Sequence, residues 1–366
     1  MAVVGGGVIG LSVAWQAAAA GYAVTLIDPG HSRGASWVAG GMLAPVTEAW
    51  PGEEAVLRLG EESLRRWPEF ADRLAADAFA PDLSSAGTVL AAADRADAAQ
   101  LEIVAEHLRS VERRVELMTG RQLRSRVPGL AANLRSGLWV PNDLAVDNRR
   151  LLRALRAAGE QHGVRFRPET ARAVTATSVA TDRATHEFDE VVIAAGARSA
   201  LLHGELADAI RPLKGEILRL RARRSSLPPP TVTVRAIVEG RPIYLVPRAD
   251  GEVVLGATQY EAGFDETVAA RGVRELLEGA EQVFPSIGEY ELTETAAGLR
   301  AASTDNLPLI GRLSDGVLVA SGHYRNGLLL APITADAVVA LLDGRAMPPH
   351  VEETSPSRIF RSEARV

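Results

Sequence analysis

The run G-G-G-V-I-G puts Gly5, Gly7 and Gly10 in G-x-G-x-x-G spacing, between an apolar triplet and an alanine-rich stretch. Glycines at those places let main-chain N–H groups approach a pyrophosphate with no Cβ in the way. Asp28 falls where an acid at the end of the next strand accepts hydrogen bonds from ribose hydroxyls and repels a 2'-phosphate. Nicotinamide and flavin dinucleotides both use this fingerprint, so the choice between them rests on two further segments. G-A-S-W-V-A-G-G-M-L-A-P (34–45) is a small-residue loop suited to lie along a flat ring and a ribityl-phosphate chain. S-G-H-Y-R-N-G-L-L-L-A-P (321–332) follows a strand-like run and opens a helix whose N-terminal dipole could face an anion. Together they favour FAD. The chain has no cysteine, which excludes disulfides, thiolate metal sites, a cysteine nucleophile and a flavin tethered through sulfur. Its histidines show no metal-ligand spacing, and no metal is expected.

Those residues need elements to hold them. The pattern predicts a strand over 2–4, a helix over 8–20 closed by Gly21, and a strand over 23–27 ending on Asp28, which is a βαβ start. Apolar spacing predicts helices over 54–77 and 91–115. Asp147 reads as the N-cap of a helix to about residue 162, with extended segments at 164–167 and 190–194. From 213 to 257 the period shortens towards two, and R-A-D-G (248–251) supplies a hairpin turn between 243–247 and 252–256. A helix near 267–283, a strand over 317–320 and a terminal helix over about 328–342 follow. Leu227-Pro228-Pro229-Pro230 reads as a stiff loop or edge, and the chain after Met347 as poorly ordered. Nucleotide-type segments thus stand at the start, middle and end. The expected fold is α/β with mixed α+β character. It comprises a discontinuous Rossmann-like FAD-binding domain (1–80, 147–210 and 296–366) and an antiparallel-sheet-based substrate domain (81–146 and 211–295). Substrate would bind where the two meet.

Composition narrows the partners. At 366 residues the chain exceeds what one core usually supports, and 47% hydrophobic with 23% charged content is ordinary for a soluble protein. A net charge of -6 with scattered arginines leaves nucleic acid no landing site. The arginine-rich run from Arg219 to Arg224 reads as a solvated face or loop, and the solitary Lys214 as a mark of base composition. The apolar start lacks the positive n-region of a signal peptide, and no other run approaches the ~20 apolar residues of a membrane span. A soluble cytoplasmic protein is expected.

Taken in order, G-G-G-V-I-G, G-G-M-L-A-P, P-L-K-G-E (212–216), Y-L-V-P-R (244–248), G-A-T (256–258), A-G-L-R (297–300) and G-H-Y-R-N-G-L-L-L-A-P cover nearly the whole chain. The sequence in this respect resembles the glycine oxidase branch of the D-amino-acid oxidase family, flavoenzymes associated with thiamine biosynthesis. The resemblance implies a noncovalent FAD, a two-domain fold, hydride transfer from the substrate Cα to flavin N5, reoxidation by oxygen to hydrogen peroxide, and a homo-oligomer. By matched position it implies Val8 and Ile9 at the pyrophosphate turn, Asp28 and Pro29 at the adenosine, and Ala35 with Ser36 along the phosphates. It puts Gly40, Gly41 and Met42 against the flavin and the Arg172 main chain on the adenine side. His323, Tyr324, Arg325, Asn326, Gly327, Leu328 and Leu329 would face the isoalloxazine.

For substrate, the resemblance makes Arg300 the partner of a carboxylate, which a planar guanidinium can hold through two parallel hydrogen bonds. Tyr244 and Arg325 would assist. Each has a plainer reading: an interface salt bridge for Arg300, a core tyrosine for Tyr244 and loop structure for Arg325. Two positions depart from the wider family: Ala301 follows Arg300 where relatives place proline, in what would be a freer loop, and Gln259 stands at an apolar position. Hydride transfer from a free-base amine requires no protein base, and none is nominated. The expected reaction is oxidation of glycine to its imine, then glyoxylate and ammonia, or supply of the imine to thiazole synthesis. The alternatives are an oxidase for sarcosine or a small D-amino acid, an amino-acid dehydrogenase using another acceptor, and a non-catalytic FAD-binding scaffold.

Overall fold

Ala2, Val3 and Val4 are buried on both sides, the pattern of a strand inside a parallel sheet covered on two faces. In the computed structural model, which describes residues 1–30 and 34–360, that triplet lies within a six-stranded sheet. Its order is Leu309–Arg312, Leu318–Ser321, Val191–Ile193, Ala2–Val4, Thr25–Ile27 and Arg165–Arg167. All neighbours are parallel except the first pair. The helix Val8–Ala19 is buried nearly all round and packs against Asn148–Gln161 and Ala331–Leu342. Gly21 follows it in the left-handed conformation, at φ 97°. Trp15, Trp67 and Phe70 meet edge to face, at 5.2 and 5.3 Å, in the core between these helices and Glu54–Asp77.

The second large layer is an eight-stranded sheet. Its order is Glu291–Ser303, Ile210–Arg221, Glu252–Gly256, Arg241–Pro247, Thr233–Val238, Thr88–Ala92, Ser136–Val140 and Glu116–Thr119. Only the contact of Thr233–Val238 with Thr88–Ala92 is parallel. The hairpin at 248–251 forms as expected, with Asp250 and Gly251 both at positive φ. The helix Ala270–Val283, through Leu276, and Phe284 pack on one face, among Leu218, Val234 and Leu245. On the other face the register places Ile217, Gly256, Tyr244, Arg235 and Leu90 side by side on successive strands. The architecture is mixed α/β, and no helix among the described residues is long and apolar enough to cross a membrane.

Four expectations are corrected. The helix over 91–115 begins only at Arg95, because Thr88–Ala92 pairs as a strand on both edges. Asp94 marks the boundary with a capping box, accepting from the Asp97 N–H at 2.8 Å. The tail after Met347 is not loose. Val351 and Thr354 are buried, and Arg358 grips Asp305 through two bonds of 2.7 and 3.0 Å; residues 361–366 lie outside the described residues. Arg219 is not solvated, since it is buried against Glu252 and Asn148, both at 3.3 Å. Arg300 lies within the strand Glu291–Ser303, not on a freer loop.

Lys214 also has a definite structural place. It is buried, and its Nζ donates to Asp265 at 2.8 Å and to the Thr267 carbonyl, with Glu216 3.6 Å away. Glu216 in turn accepts from the Ala269 N–H, which fixes the connection leading into the helix Ala270–Val283.

Candidate active site

A groove of about 1150 Å³ runs past the carboxyl ends of the parallel strands, where open α/β sheets take their ligands. Gly5, Gly7, Val8, Ile9, Asp28, Pro29, Ala35, Ser36, Arg172, His323, Tyr324 and Gly327 all line it. The N-cap of the helix Val8–Ala19 is Gly7, which offers no side-chain cap, and this leaves the N–H groups that follow Val8 available to an anion. The Val8 N–H donates to Ser36 Oγ at 3.0 Å, tying the glycine turn to the start of the small-residue segment. That segment is a short helix, Ala35–Val38, followed by a two-residue strand, Met42–Leu43. Asp28 accepts from the Gly6 and Gly30 N–H groups at 2.7 and 2.8 Å, so its carboxylate is aimed before any ribose arrives. An uncapped helix end, glycines at the approach and an oriented acid together fit a dinucleotide. Asp28→Ala should weaken FAD retention by ~1.5 to 3 kcal/mol through loss of charge-assisted bonds. Equal FAD affinity in the variant, titrated with apoprotein, would remove Asp28 from the adenosine site.

A smaller cavity, about 240 Å³, shares Ala35, Ser36, Tyr324 and Gly327 with the groove and continues over the open face of the eight-stranded sheet. Gly40, Gly41, Met42, Leu328, Arg300, Tyr244, Arg325 and Gln259 all line it. Gly10, Asn326 and Leu329 line neither space. Gly10 packs on Gly5, and the Leu329 carbonyl is bound by Ser63 and Trp67 at 2.6 and 3.0 Å inside the helical core.

The Arg300 guanidinium lies over Gly215, where any Cβ would strike it. Nη1 donates to the Thr258 carbonyl at 3.2 Å and faces the Lys214 carbonyl at 3.5 Å. Among the described residues no acid pairs with it, so the salt-bridge reading finds no partner. The Tyr244 ring is held between Gly40 and Gly256. Its hydroxyl has no hydrogen-bond partner among the described residues, and burial raises its pKa, so it remains a donor. Arg325 differs. Nη2 donates to Glu53 at 2.6 Å and to the Glu48 carbonyl at 3.0 Å, while Nε stands 3.4 Å from the Glu48 carboxylate. These bonds give it the loop-holding part alongside its place in the wall.

Burial lowers the His323 pKa to about 3, so the imidazole is neutral, bonded to Thr334 at 2.9 Å. It adds no charge beside the groove.

Several contributors went unnoticed in the sequence. The Asn148 amide donates to the Ser36 and Trp37 carbonyls at 2.9 and 2.8 Å, and Arg248 donates to the Gly40 carbonyl at 2.5 Å. Burial lowers the Arg248 pKa only to about 10, so it stays charged. Arg235 pairs with Glu48 at 3.2 Å and donates to Thr47 Oγ1 at 3.4 Å. Its signal was a lone charge within T-V-R-A-I-V, where strand alternation permits either face.

Asp143 stands behind Thr47, fully buried, accepting the Thr47 hydroxyl at 2.7 Å. Desolvation raises its pKa from 3.8 to about 7. The folded state thus keeps a proton that the unfolded chain has already released, and stability falls as pH rises between those two values. Asp143→Asn carries no such proton. It should gain on wild type by on the order of 2 to 4 kcal/mol between acid and mildly alkaline pH. Thermal unfolding of both proteins at pH 4.5 and pH 8 (about these values, spanning the window) checks this, and a stability difference that is the same at both would sink it.

Comparison with known proteins identifies the family. The DAO family model, described as FAD dependent oxidoreductase, matches residues 1–341. The glycine oxidase of Pseudomonas aeruginosa is 31% identical over 357 residues, spanning 94% of each chain. The bifunctional protein ThiO/ThiG of Trichormus variabilis is 30% identical over 375 residues, 99% of this chain but 55% of that longer protein. The crystal structure of glycine oxidase from Geobacillus kaustophilus superposes with a TM-score of 0.89 at 28% identity, covering 97% of both chains. With the family model matched from the glycine turn through the last helix of the core, the chain belongs to the DAO family of FAD dependent oxidoreductases.

Proposed function

We propose that this enzyme oxidises glycine to its imine, which hydrolyses to glyoxylate and ammonia. The observation that carries the reading is an arginine without an acid, Arg300, beside the unpartnered Tyr244 hydroxyl, in a small cavity opening onto the dinucleotide groove. The relatives named glycine oxidase support it. FAD, when bound, supplies the two-electron acceptor for the hydride leaving Cα and returns the electrons to oxygen as hydrogen peroxide. The chain holds that cofactor noncovalently through the Gly5–Gly10 turn, Asp28, Ser36 and the segment around Gly327.

The protein's own part is placement. Arg300 takes the substrate carboxylate on its remaining donors, and Tyr244 can donate to the same group. Fixing the carboxylate fixes Cα relative to the groove, and such positioning is worth several orders of magnitude in rate. Glu48 is the one acid lining the cavity among the described residues, and it is held by two arginines. No group there is suited to act as a base, so the amine enters deprotonated.

A second reading, sarcosine or a small D-amino acid, is favoured by the apolar extension of the cavity past Tyr244 to Leu90, Val104 and Ile237. A supply of imine to thiazole synthesis rests on the relatives named ThiO/ThiG. The test is anaerobic: add glycine, sarcosine or D-alanine to the yellow protein, follow flavin bleaching, then readmit oxygen. Bleaching by glycine and recovery with peroxide formation support the proposal. Bleaching only by the other two favours the second reading, bleaching without recovery in oxygen indicates a dehydrogenase, and no bleaching by any overturns both.

A further inference from the structure

Among the described residues three guanidiniums reach the cavity wall, and they are not alike. Arg300 has no acid partner among the described residues, whereas Arg235 and Arg325 share one. The shared acid is Glu48. One carboxylate oxygen lies 3.2 Å from Arg235 Nη1, and the other lies 3.4 Å from Arg325 Nε. Arg235 comes from the strand Thr233–Val238 and Arg325 from the segment after Leu318–Ser321, so Glu48 joins two walls. Glu53 completes the cover of Arg325 at 2.6 Å. All four side chains are at least three-quarters buried, with Glu48 at 12% and Arg235 at 14% exposure.

We propose that Glu48 sets the charge of the substrate: by neutralising Arg235 and Arg325 it leaves room for one carboxylate, on Arg300, and turns away amines that carry a second anionic group. The inference rests on the reading of Arg300 as the carboxylate anchor. Attraction and repulsion are both strong in a partly desolvated cavity. A second carboxylate near Arg235 would have to displace Glu48 from its partners or lie beside it unpaired. An uncharged substituent meets neither penalty, since Leu90, Val104, Ile237 and Pro242 are also among the residues that line the cavity. Discrimination would come from an introduced repulsion, not from a better fit to the preferred substrate. Removing the Glu48 charge should uncover the two arginines as a second anion subsite.

The probe is iminodiacetate, which is glycine with a second carboxymethyl group on nitrogen. D-Aspartate carries the second carboxylate on the Cα side instead. In FAD-loaded wild type, Glu48→Gln, Glu48→Asp and the double variant Glu48→Gln/Arg235→Gln, anaerobic flavin reduction is measured against concentration for glycine and both probes. Acetate and malonate, which cannot be oxidised, are titrated by their perturbation of the flavin spectrum. For Glu48→Gln the efficiency of flavin reduction (rate constant over Kd) with iminodiacetate or D-aspartate relative to glycine should rise at least tenfold, and the affinity ratio of malonate to acetate should rise with it. Glu48→Asp should keep the wild-type preference, and the double variant should lose most of the gain. An unchanged ratio in Glu48→Gln overturns the proposal, as does an equal rise in Glu48→Asp. Should Glu48→Gln fail to fold, Arg235→Gln alone must lower the dicarboxylate ratio further, because Glu48 then repels with less compensation; no decrease overturns the proposal. If wild type is not reduced by glycine, the function reading has failed, and the acetate and malonate titrations still decide the part played by Glu48.

Discussion

Arg300→Ala is expected to abolish saturation by glycine while leaving FAD content close to wild type. The guanidinium touches no acid among the described residues, and its hydrogen bonds go to the Thr258 and Lys214 carbonyls. Without it a bound carboxylate would be desolvated and unpaired, a cost of ~2 to 5 kcal/mol, or roughly 30-fold to several thousandfold in affinity. The rate of flavin reduction should fall as well, because Cα is no longer held in place. Arg300→Lys should recover part of both, since a point charge lacks the parallel donor pair. Gly215→Ala offers a check that keeps the charge. Its Cβ would drive the guanidinium from its seat, so glycine affinity should drop although no cation is lost. Simple amines without a carboxylate, poor substrates from the start, should lose far less than glycine. If glycine keeps its affinity in Arg300→Ala, or the variant merely loses FAD, the anchor assignment is wrong.

Gly10→Ala should give protein that folds poorly and purifies largely without FAD. A Cβ there would overlap the Gly5 carbonyl oxygen, and the Gly5 carbonyl carbon lies 3.0 Å away. Both are backbone atoms, so no side-chain rotation relieves the clash. The helix Val8–Ala19 must back away from the turn, and its N-terminal N–H groups go with it. Overpacking of this kind costs ~1 to 3 kcal/mol, occasionally more, and here the displaced atoms are the ones assigned to the pyrophosphate in the proposed mode of binding. Gly204→Ala is the control, because its Cβ meets nothing within 4 Å. The measurement is visible flavin absorbance per protein together with thermal unfolding. Full flavin content in Gly10→Ala would mean that the helix end does not set the cofactor's position.

The glycine turn, the helix after it and the 248–251 hairpin were readable because each is specified by residues within a few positions of one another. Errors fell where the deciding partner was distant. Ala91 and Ala92 read as helix, yet pair with Ala236 and Ile237 across the parallel contact. The tail read as loose because nothing near it announces that Arg358 will find Asp305. Arg219 read as solvated because Glu252 and Asn148 arrive from other elements. At the site, the glycine turn and Asp28 could be argued from spacing, whereas Arg300 and Tyr244 emerged only through family likeness. Glu48, Arg235 and Asp143 carry no local motif. They become a network only when Thr47 and the strand Thr233–Val238 are brought together.

The solitary Lys214 has a practical consequence for anyone handling this protein. Its ammonium is buried and bonded to Asp265 and the Thr267 carbonyl, so the folded chain presents no lysine to amine-directed reagents. Glutaraldehyde and succinimidyl esters find no pair of exposed lysines to join in neighbouring copies, however firmly associated, and with the Met1 amine as the remaining target an unshifted gel band would say nothing about assembly. Subunit number should instead be taken from mass in solution, by light scattering or sedimentation. Surface attachment for binding work should go through carboxylates or an added tag.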